Sequence, residues 1–318
     1  MIRLRLVPAK TNIGFLNQRL KAFVLSAFLF VASAVLFVTT GLNYGIDFEG
    51  GILIEVGTPE PADLSVMRGA LSGLDLGEVA LQEFGRDTEV LVRIERQPGD
   101  STAQQRAVAA VKEALSKEIA GEISYRRVEF VGPKVSAELV RAGTLASVLA
   151  VIAMLVYIWF RFEWQFAVGA VMALVHDVVL TIGVFALTRL EFNLSIIAAI
   201  LTIVGYSVND TVVVYDRIRE NLRKYRKMPL TQLLNVSIND TLSRTTMTSA
   251  TTLIALLTLF FFGGAVIKGF TFAMIWGVIV GTYSSIFIAA PLLIYVGLRR
   301  DAMGESPNED EDSAADTA

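Results

Sequence analysis

Apolar residues are concentrated in six runs of about 20 residues, the length that an α-helix needs to cross the hydrocarbon core of a membrane. The loops between the runs carry charged and turn-forming residues. We therefore predict six membrane-spanning helices. They lie near residues 21–40, 139–159, 166–188, 192–215, 242–262 and 270–296.

The segment between the first two runs, residues 41–138, has a different pattern, being charged and amphipathic. It is long enough to form a small domain with a core of its own. Its order of elements, β-α-β-β-α-β, matches the split βαβ arrangement of ferredoxin-like domains. The predicted strands cover 51–56, 78–84, 89–95 and 122–130, and the predicted helices cover 62–74 and 102–120. The predicted fold is a mainly α membrane protein of six transmembrane helices, with this small extracytoplasmic α+β domain inserted between helices 1 and 2.

Composition agrees with a membrane location. Hydrophobic residues make up 53% of the chain and the mean hydropathy is +0.56, above the usual range of soluble globular proteins. The triplet Ala32-Ser33-Ala34 resembles a signal-peptide cleavage site, but it lies inside the first apolar run and not after it. We interpret that run as an uncleaved anchor.

Lys and Arg residues predict the orientation, because they accumulate in the loops on the cytoplasmic side. Basic residues cluster before the first run, between the second and third, between the fourth and fifth, and after the sixth. Both termini are therefore predicted to be cytoplasmic. The predicted parts are a cytoplasmic N-terminus (1–20), helix 1 (21–40), the outer domain (41–138), a five-helix region (139–298) with a cytoplasmic loop (216–241), and a disordered acidic cytoplasmic tail (299–318).

Several chemistries are excluded because the residue types that they need are missing. The chain has no cysteine and one histidine, so thiolate chemistry and a histidine zinc cluster are excluded. It contains no Gly-x-x-x-x-Gly-Lys-Ser/Thr phosphate loop and no basic domain with stacking aromatic residues. We therefore predict a protein that is not an enzyme, has no ATPase motif of its own, and binds no metal, cofactor or nucleic acid.

Ionisable residues inside the apolar runs are the positive signal for function. A charge near the bilayer centre costs roughly 2.5–3.5 kcal/mol on insertion scales, so it normally faces a partner, a hydrated cavity or an ion path. His176 and Asp177 are predicted roughly 15 Å from the cytoplasmic face, and Asp210 on the order of 8 Å from it. Arg244 is predicted at a similar level to Asp210, close enough to pair with it. These four residues are the candidates for an ion or proton path.

Hydroxyl and amide groups surround these positions and can hold water or relay protons. Ser207, Asn209 and Thr248 are predicted to support the relay, within a hydroxyl-rich stretch that continues from residue 245 to 252. Two structural alternatives remain open. Asp210 and Arg244 can form a static pair that locks two helices, and His176 can be a packing residue. The spacing of Gly277 and Gly281 indicates close helix packing.

Five stretches, in order along the six-run layout, resemble the SecF family. This family comprises the smaller subunits of SecD–SecF protein-export complexes, a branch of the resistance-nodulation-division superfamily. The resemblance extends over almost the whole chain. The stretches are residues 45–51, 131–133, 175–177, 205–220 and 244–246, and their family-motif residues include Gly45, Asp47, Gly50, Gly51, Gly205, Asp216 and Arg217.

The resemblance implies an accessory subunit of the Sec machinery that uses the proton-motive force to promote late steps of polypeptide translocation. It implies a multi-pass protein of the bacterial cytoplasmic (inner) membrane, in contact with membrane lipid. The implied partners are SecD, the SecYEG channel, YajC, the translocating polypeptide and, indirectly, the SecA motor. The roles of aspartate and arginine in the family's proton path fall on Asp210 and Arg244, while Asp177 and His176 match a family motif.

Two other functional classes are compatible with the residues. A proton-driven exporter of lipids or small molecules from the same superfamily shares the six-span plan, although it typically doubles that plan within one chain. A non-transporting scaffold would not need ionisable residues in three spans. The sequence also leaves sodium open as the coupling ion.

Overall fold

The computed structural model describes residues 11–99 and 101–298. The predicted cytoplasmic N-terminus is therefore described from residue 11 onward. The predicted acidic tail, 299–318, lies outside the described residues.

Six helices in the described part of the chain are long and apolar enough to cross a membrane, which confirms the predicted fold class. The sixth is interrupted by a π-helical turn at Ser285–Ala289. The six are α1 (Arg19–Thr40), α5 (Pro133–Arg161), α6 (Trp164–Thr188), α7 (Leu194–Lys224), α8 (Leu230–Phe262), and α9 (Lys268–Ser284), which continues through the π turn into α10 (Ala290–Tyr295).

Three of these helices extend beyond the apolar runs. α5 begins at Pro133, before the predicted end of the outer domain, while α7 and α8 leave only residues 225–229 between them in place of the predicted loop 216–241. Polar contacts hold the extended ends together: Asn221 Nδ2 donates to Ser237 Oγ at 2.9 Å, and Arg217 Nε donates to Asp240 Oδ2 at 2.9 Å. Hydropathy marks only the part of a helix that lies in lipid, so it underestimates these helices.

The segment between α1 and α5 forms the predicted α+β domain, here called the inserted domain. Its four strands pair antiparallel in the spatial order β3-β4-β2-β5, the order of a split βαβ fold. Its elements are β2 (Gly51–Gly57), α3 (Leu64–Ser72), β3 (Val79–Phe84), β4 (Arg86–Ile94), α4 (Ser101–Glu118) and β5 (Ser124–Val131).

Alternating strand residues build the core of the inserted domain. Ile52, Ile54 and Val56 of β2 are fully buried against Met67 of α3 and Leu115 of α4. Because side chains along a strand point alternately to opposite faces, this pattern puts one face of the sheet under the two helices. The core therefore belongs to the domain itself and is separate from the packing between the spanning helices.

Short elements join the inserted domain to the spanning helices. β1 (Asn43–Tyr44) pairs in parallel with β6 (Glu191–Phe192), which lies between α6 and α7. In the following short helix α2 (Ile46–Glu49), Asp47 Oδ2 accepts a hydrogen bond from the backbone N–H of Leu194 at 3.0 Å. The family-motif residue Asp47 therefore caps the first turn of α7, the helix that carries Asp210.

Gly50 and Gly51 make the turn from α2 into β2. Their φ angles are +73° and +122°, in the region that L-residues with a side chain rarely adopt. A Cβ at Gly51 would lie 2.6 Å from the backbone oxygen of Ile94. The two glycines are required because the chain must turn sharply while its backbone lies against β4.

Replacing Gly51 with Ala should destabilise the inserted domain by about 1–3 kcal/mol, because both the backbone angle and the contact with Ile94 become strained. The measurement is thermal unfolding of the purified full chain. The control is Gly69→Ala in α3, where a Cβ meets nothing within 4 Å and we expect a gain of about 0.5–1 kcal/mol. Equal stability of Gly51→Ala and the native chain would contradict this view of the turn.

A cavity of about 370 Å³ lies between the inserted domain and the spanning helices, and Asp47, Arg127 and Glu191 contribute to its wall. Burial raises the pKa of the Glu191 carboxyl, the nearby Arg93 charge opposes the rise, and the Asp47 charge adds to it. The neutral acid is therefore favoured in the folded state. As the pH rises from the ordinary carboxyl pKa through the raised pKa, this residue lowers the stability of the fold.

Substituting Glu191→Gln should remove the loss of folding stability that Glu191 causes at high pH. The variant should gain thermal stability relative to the native chain at about pH 8 and match it at about pH 4, where both carry a neutral group. The measurement is the difference in Tm between the two proteins at each pH, with Glu122→Gln, at an exposed position, as the charge-removal control. A Tm difference that does not change with pH would show that Glu191 ionises normally.

Candidate functional site

Close approach of α9 to α7 creates the site. A Cβ at Gly277 would lie 2.3 Å from Ile203 Cγ1, and a Cβ at Gly281 would lie 3.1 Å from Ser207 Cβ. The predicted packing role of the two glycines is therefore confirmed. Because larger residues would separate the helices, the glycines bring the polar residues at the end of α9 within reach of α6 and α7.

Asp210 lies on α7 with 7% of its surface exposed. Thr245 Oγ1 of α8 donates to its Oδ1 at 2.9 Å, and Ser285 Oγ of the π turn donates to its Oδ2 at 3.0 Å. A hydroxyl can donate to a carboxylate or accept from a carboxylic acid. Both protonation states of Asp210 can therefore be hydrogen bonded in the same surroundings.

Asp177 of α6 is completely buried and has three hydrogen-bond partners. Ser207 Oγ donates to its Oδ2 at 2.6 Å, and Ser284 Oγ donates to the same oxygen at 2.8 Å. His176 Nδ1 lies 3.0 Å from Oδ1. His176 is itself buried, and its Nε2 has no hydrogen-bond partner among the described residues.

The two carboxylates belong to one polar layer inside the bundle. Ser284 and Ser285 are adjacent in sequence, one contacting Asp177 and the other Asp210. Ser207, on Asp177, lies one helical turn before Asp210 on α7. Four helices, α6 to α9, therefore meet around a cluster in which the hydroxyls of Ser207, Thr245, Ser284 and Ser285 contact the two carboxylates. The arrangement has the components of a proton path, which are titratable groups linked by hydroxyls.

Arg244 is not in that cluster. Its side chain is exposed, and no salt bridge joins it to Asp210, both residues being within the described part of the chain. Successive helical residues point about 100° apart, so Thr245 takes the inward position and Arg244 faces outward. The predicted direct pair is therefore corrected to a Thr245–Asp210 contact.

Of the three residues predicted to support the relay, one lies in the cluster and two are exposed. Ser207 joins the cluster, but on Asp177 instead of Asp210. Asn209 is exposed, and Thr248, also exposed, donates to the backbone oxygen of Arg244 at 3.0 Å. Sequence reasoning missed Ser284 and Ser285, although two adjacent serines inside an apolar run were a visible signal. What the sequence could not indicate was their partner on another helix.

The π turn begins at Ser285 and makes a second contact with α7. Tyr215 Oη donates to the backbone oxygen of Ala289 at 3.1 Å, and Tyr215 is fully buried. π turns are rare in proteins overall, but those that occur are often found at functional sites. α7 is thus held to this turn at two points, through Asp210 and through Tyr215.

The other family-motif residues have structural contacts at the two ends of the bundle. Asp216 receives two hydrogen bonds from Arg161, at 2.8 and 2.9 Å, and Arg217 binds Glu220 and Asp240. Gly45 N–H donates to the backbone oxygen of Phe192 at 2.9 Å. No contact requires a glycine at position 205, where a Cβ would meet nothing within 4 Å.

Metal ligation has no candidate within residues 11–99 and 101–298, where no group of three or more histidine, aspartate or glutamate side chains is placed to hold an ion.

Two family models match the chain. Residues 111–299 match "Protein export membrane protein SecD/SecF, C-terminal", and residues 35–58 match the "SecD/SecF GG Motif". The first covers α5 to α10 with all of the polar layer, and the second covers the turn at Gly50 and Gly51.

Similar proteins carry the same name in several bacteria. A protein translocase subunit SecF of Cereibacter sphaeroides is 50% identical over 304 residues, which covers 94% of each chain. That of Rickettsia rickettsii is 47% identical and covers 91% of this chain and 94% of its own.

Solved structures of SecDF proteins have the same fold. The crystal structure of SecDF from Thermus thermophilus, described as a translocon-associated membrane protein, matches with a TM-score of 0.82 and 34% identity over 92% of this chain. A second SecDF structure, in a super-membrane-facing form, matches with a TM-score of 0.64 and 33% identity over 94% of this chain. This chain spans 40% of the length of each.

Replacing Gly277 with Ala should destabilise the bundle by about 1–3 kcal/mol, since the new methyl overlaps the Ile203 side chain. Thermal unfolding of the purified chain measures the loss. Gly205→Ala on α7 is the matched control and should cause none. Ile203→Ala removes a buried side chain and also destabilises, but because it makes room for the new methyl, the loss in the double variant should be smaller than the sum of the two single losses. Two losses that simply add would contradict the packing described for these helices.

Proposed function

Because the chain belongs to the SecD/SecF family of protein-export membrane proteins, as a SecF-type member, we propose that it promotes late steps of polypeptide translocation across the cytoplasmic membrane. The names of its relatives support this proposal, since they are protein translocase subunits at about half identity over almost the full chain. The observation that carries the mechanism is the buried Asp210 between two hydroxyls.

The proposed energy source is the proton-motive force. The site can hold Asp210 with or without a proton, because Thr245 and Ser285 can donate to the carboxylate or accept from the acid. Ser285 already has a second acceptor, the backbone oxygen of Thr282 at 3.0 Å. When Asp210 takes up a proton, the Ser285 hydroxyl can keep that bond and give up its bond to the carboxylate.

The movement that follows is a change in packing between α7 and the π turn. Loss of charge on Asp210 weakens one of their two contacts, while the bond from Tyr215 to Ala289 is unaffected and serves as the pivot. Arg244, outside the cluster in this arrangement, is proposed to approach the protonated Asp210 in the other one, where its positive charge would favour release of the proton and restore the carboxylate.

The free energy of one hydrogen bond to the Asp210 carboxylate is similar to the free energy released when one proton crosses the membrane. A hydrogen bond to a charged group contributes about 1.5–3 kcal/mol, and one proton crossing 100 mV releases about 2.3 kcal/mol. A single proton per cycle therefore provides enough free energy to shift the balance between two packings that differ by one such bond.

Asp177 and His176 are proposed as an inner station of the relay. Ser207 and Ser284 connect Asp177 toward α7 and the π turn, and Ser284 has Gly281 O as an alternative acceptor at 3.1 Å. His176 Nδ1 contacts the Asp177 carboxylate. A proton on Asp177 would compete with these donors, so the protonation states of Asp177 and Asp210 are expected to be coupled through the adjacent serines.

The inserted domain is proposed to receive the movement through α7. Leu194, capped by Asp47, lies 16 residues before Asp210, or about 24 Å along a rigid helix. A tilt of α7 at Asp210 therefore displaces the segment that carries Asp47 and the inserted domain, which is proposed to grip and release the emerging polypeptide.

The proposed setting is the bacterial inner membrane with both termini in the cytoplasm, which places the inserted domain on the outer side. The positive residues at the end of the bundle away from this domain support the orientation. The proposed partners are a SecD subunit, the SecYEG channel and YajC, with the SecA motor acting on the same polypeptide. The SecDF structures support the first of these.

Substituting Asp210→Asn should abolish gradient-dependent export while leaving membrane insertion intact. The amide keeps the shape of the side chain but cannot exchange a proton. The measurement is the rate of export of a secreted protein in cells that depend on this chain, with and without dissipation of the proton gradient. Asp87→Asn, an exposed position in the inserted domain, is the control and should export normally. Normal gradient-dependent export by Asp210→Asn would reject the scheme.

A further inference from the structure

Four basic side chains meet in a hollow at the distal end of the bundle, the end away from the inserted domain. The hollow has a volume of about 680 Å³ and is lined by Arg161, Asp216, Arg219, Glu220, Arg223 and Lys224. Each of its two carboxylates is already bound, Asp216 by Arg161 and Glu220 by Arg217. Arg219, Arg223 and Lys224 have no carboxylate partner among the described residues, so the hollow has surplus positive charge.

Arg219 is held in position before any ligand arrives. Its guanidinium lies over the ring of Phe162, 5.7 Å from the ring centre, beside Arg161 at 5.0 Å from the same ring. Its buried Nε has no hydrogen-bond partner among the described residues. Because Phe162 is buried, this cation is fixed against the helix bundle with donors left over.

The hollow lies at the depth of lipid headgroups. Trp159, Phe160 and Trp164, the residues next to Arg161 along the chain, are 77%, 90% and 61% exposed. Exposed aromatic residues at the end of an apolar helix are typical of the membrane–water interface. The surplus positive charge therefore faces the polar layer of the membrane and not open solvent alone.

An apolar groove continues from the hollow toward the membrane interior, between the same two helices. Its volume is about 360 Å³, and its lining includes Met154 and Tyr157 of α5 and Gly205 and Val212 of α7. Tyr157 and Arg161 are four residues apart, as are Val212 and Asp216. Residues at this spacing share a helix face, so the groove and the hollow follow each other along one α5–α7 cleft, which the Arg161–Asp216 ion pair crosses between them.

The length of the cleft matches one acyl chain. From Gly205 to Asp216 α7 rises about 16 Å, close to half of the roughly 30 Å hydrocarbon core. At Gly205 the wall is open, since a Cβ there would meet nothing within 4 Å. A molecule that fits the whole cleft has a negative head and an apolar tail of one leaflet's depth.

We propose that the α5–α7 cleft binds an anionic phospholipid, with its phosphate on Arg219, Arg223 and Lys224 and an acyl chain in the groove. Basic pockets between spanning helices are a known form of headgroup site. The bound lipid would fill the space beside α7 on the face opposite the polar layer, so its occupancy would limit how far α7 can tilt.

The test is a lipid titration followed by native mass spectrometry, on the chain purified together with its SecD-type partner. Phosphatidylglycerol is the probe and phosphatidylcholine the comparison. We expect preferential binding of phosphatidylglycerol. The variant Arg219→Gln/Arg223→Gln should weaken it about 25-fold, at about fivefold per basic residue.

Two further variants test separately whether the basic residues of the cleft bind the lipid headgroup and whether the groove binds the acyl chain. Lys21→Gln/Lys227→Gln removes two exposed positive charges outside the cleft and should leave the affinity for phosphatidylglycerol unchanged. Gly205→Leu fills the groove without touching the basic residues and should weaken binding of both phospholipids. Equal affinity for the two phospholipids, or an equal loss in the Lys21/Lys227 control, would overturn the proposal.

Discussion

The buried carboxylate of Asp210 and the hydroxyls that reach it from two other helices are the interaction on which the rest of the structure depends. An unpaired charge at this depth would be expensive, and a permanent salt bridge would fix the helices in one arrangement. Hydroxyl partners avoid both outcomes because each can reverse its role. The arrangement is possible only because Gly277 and Gly281 let α9 approach α7 closely enough for Ser285 to reach the carboxylate.

The same constraint explains features elsewhere in the chain. The π turn places consecutive serines so that Ser284 reaches Asp177 and Ser285 reaches Asp210, and its far end receives the Tyr215 hydroxyl. At the other end of α7, Asp47 ties the inserted domain to the helix start. α7 is therefore the element common to the polar layer and the inserted domain, which is why a local change in protonation is proposed to act at a distance.

Much of this architecture was predictable from the sequence, because it is encoded in long apolar runs and in patterns between residues that are close together along the chain. The six apolar runs and the order of strands and helices between the first two runs indicated the spans and the ferredoxin-like domain, which the helical fold and strand order confirm. Contacts between distant helices were not predictable. Asp210 and Asp177 stood out by their chemistry, but choosing Thr245 over Arg244 requires the rotation of α8, and Ser285 requires the π turn. Apolar length likewise could not show that α7 and α8 continue past the lipid to residues 224 and 230.

The most direct test of a proton-exchanging Asp210 is infrared difference spectroscopy of the purified complex in membranes, with and without a proton gradient. We expect a carboxylic-acid carbonyl band that responds to the gradient, disappears in Asp210→Asn and persists in Asp87→Asn. A spectrum with no such band, or a band unchanged by Asp210→Asn, would contradict the claim that this carboxyl gains and loses a proton.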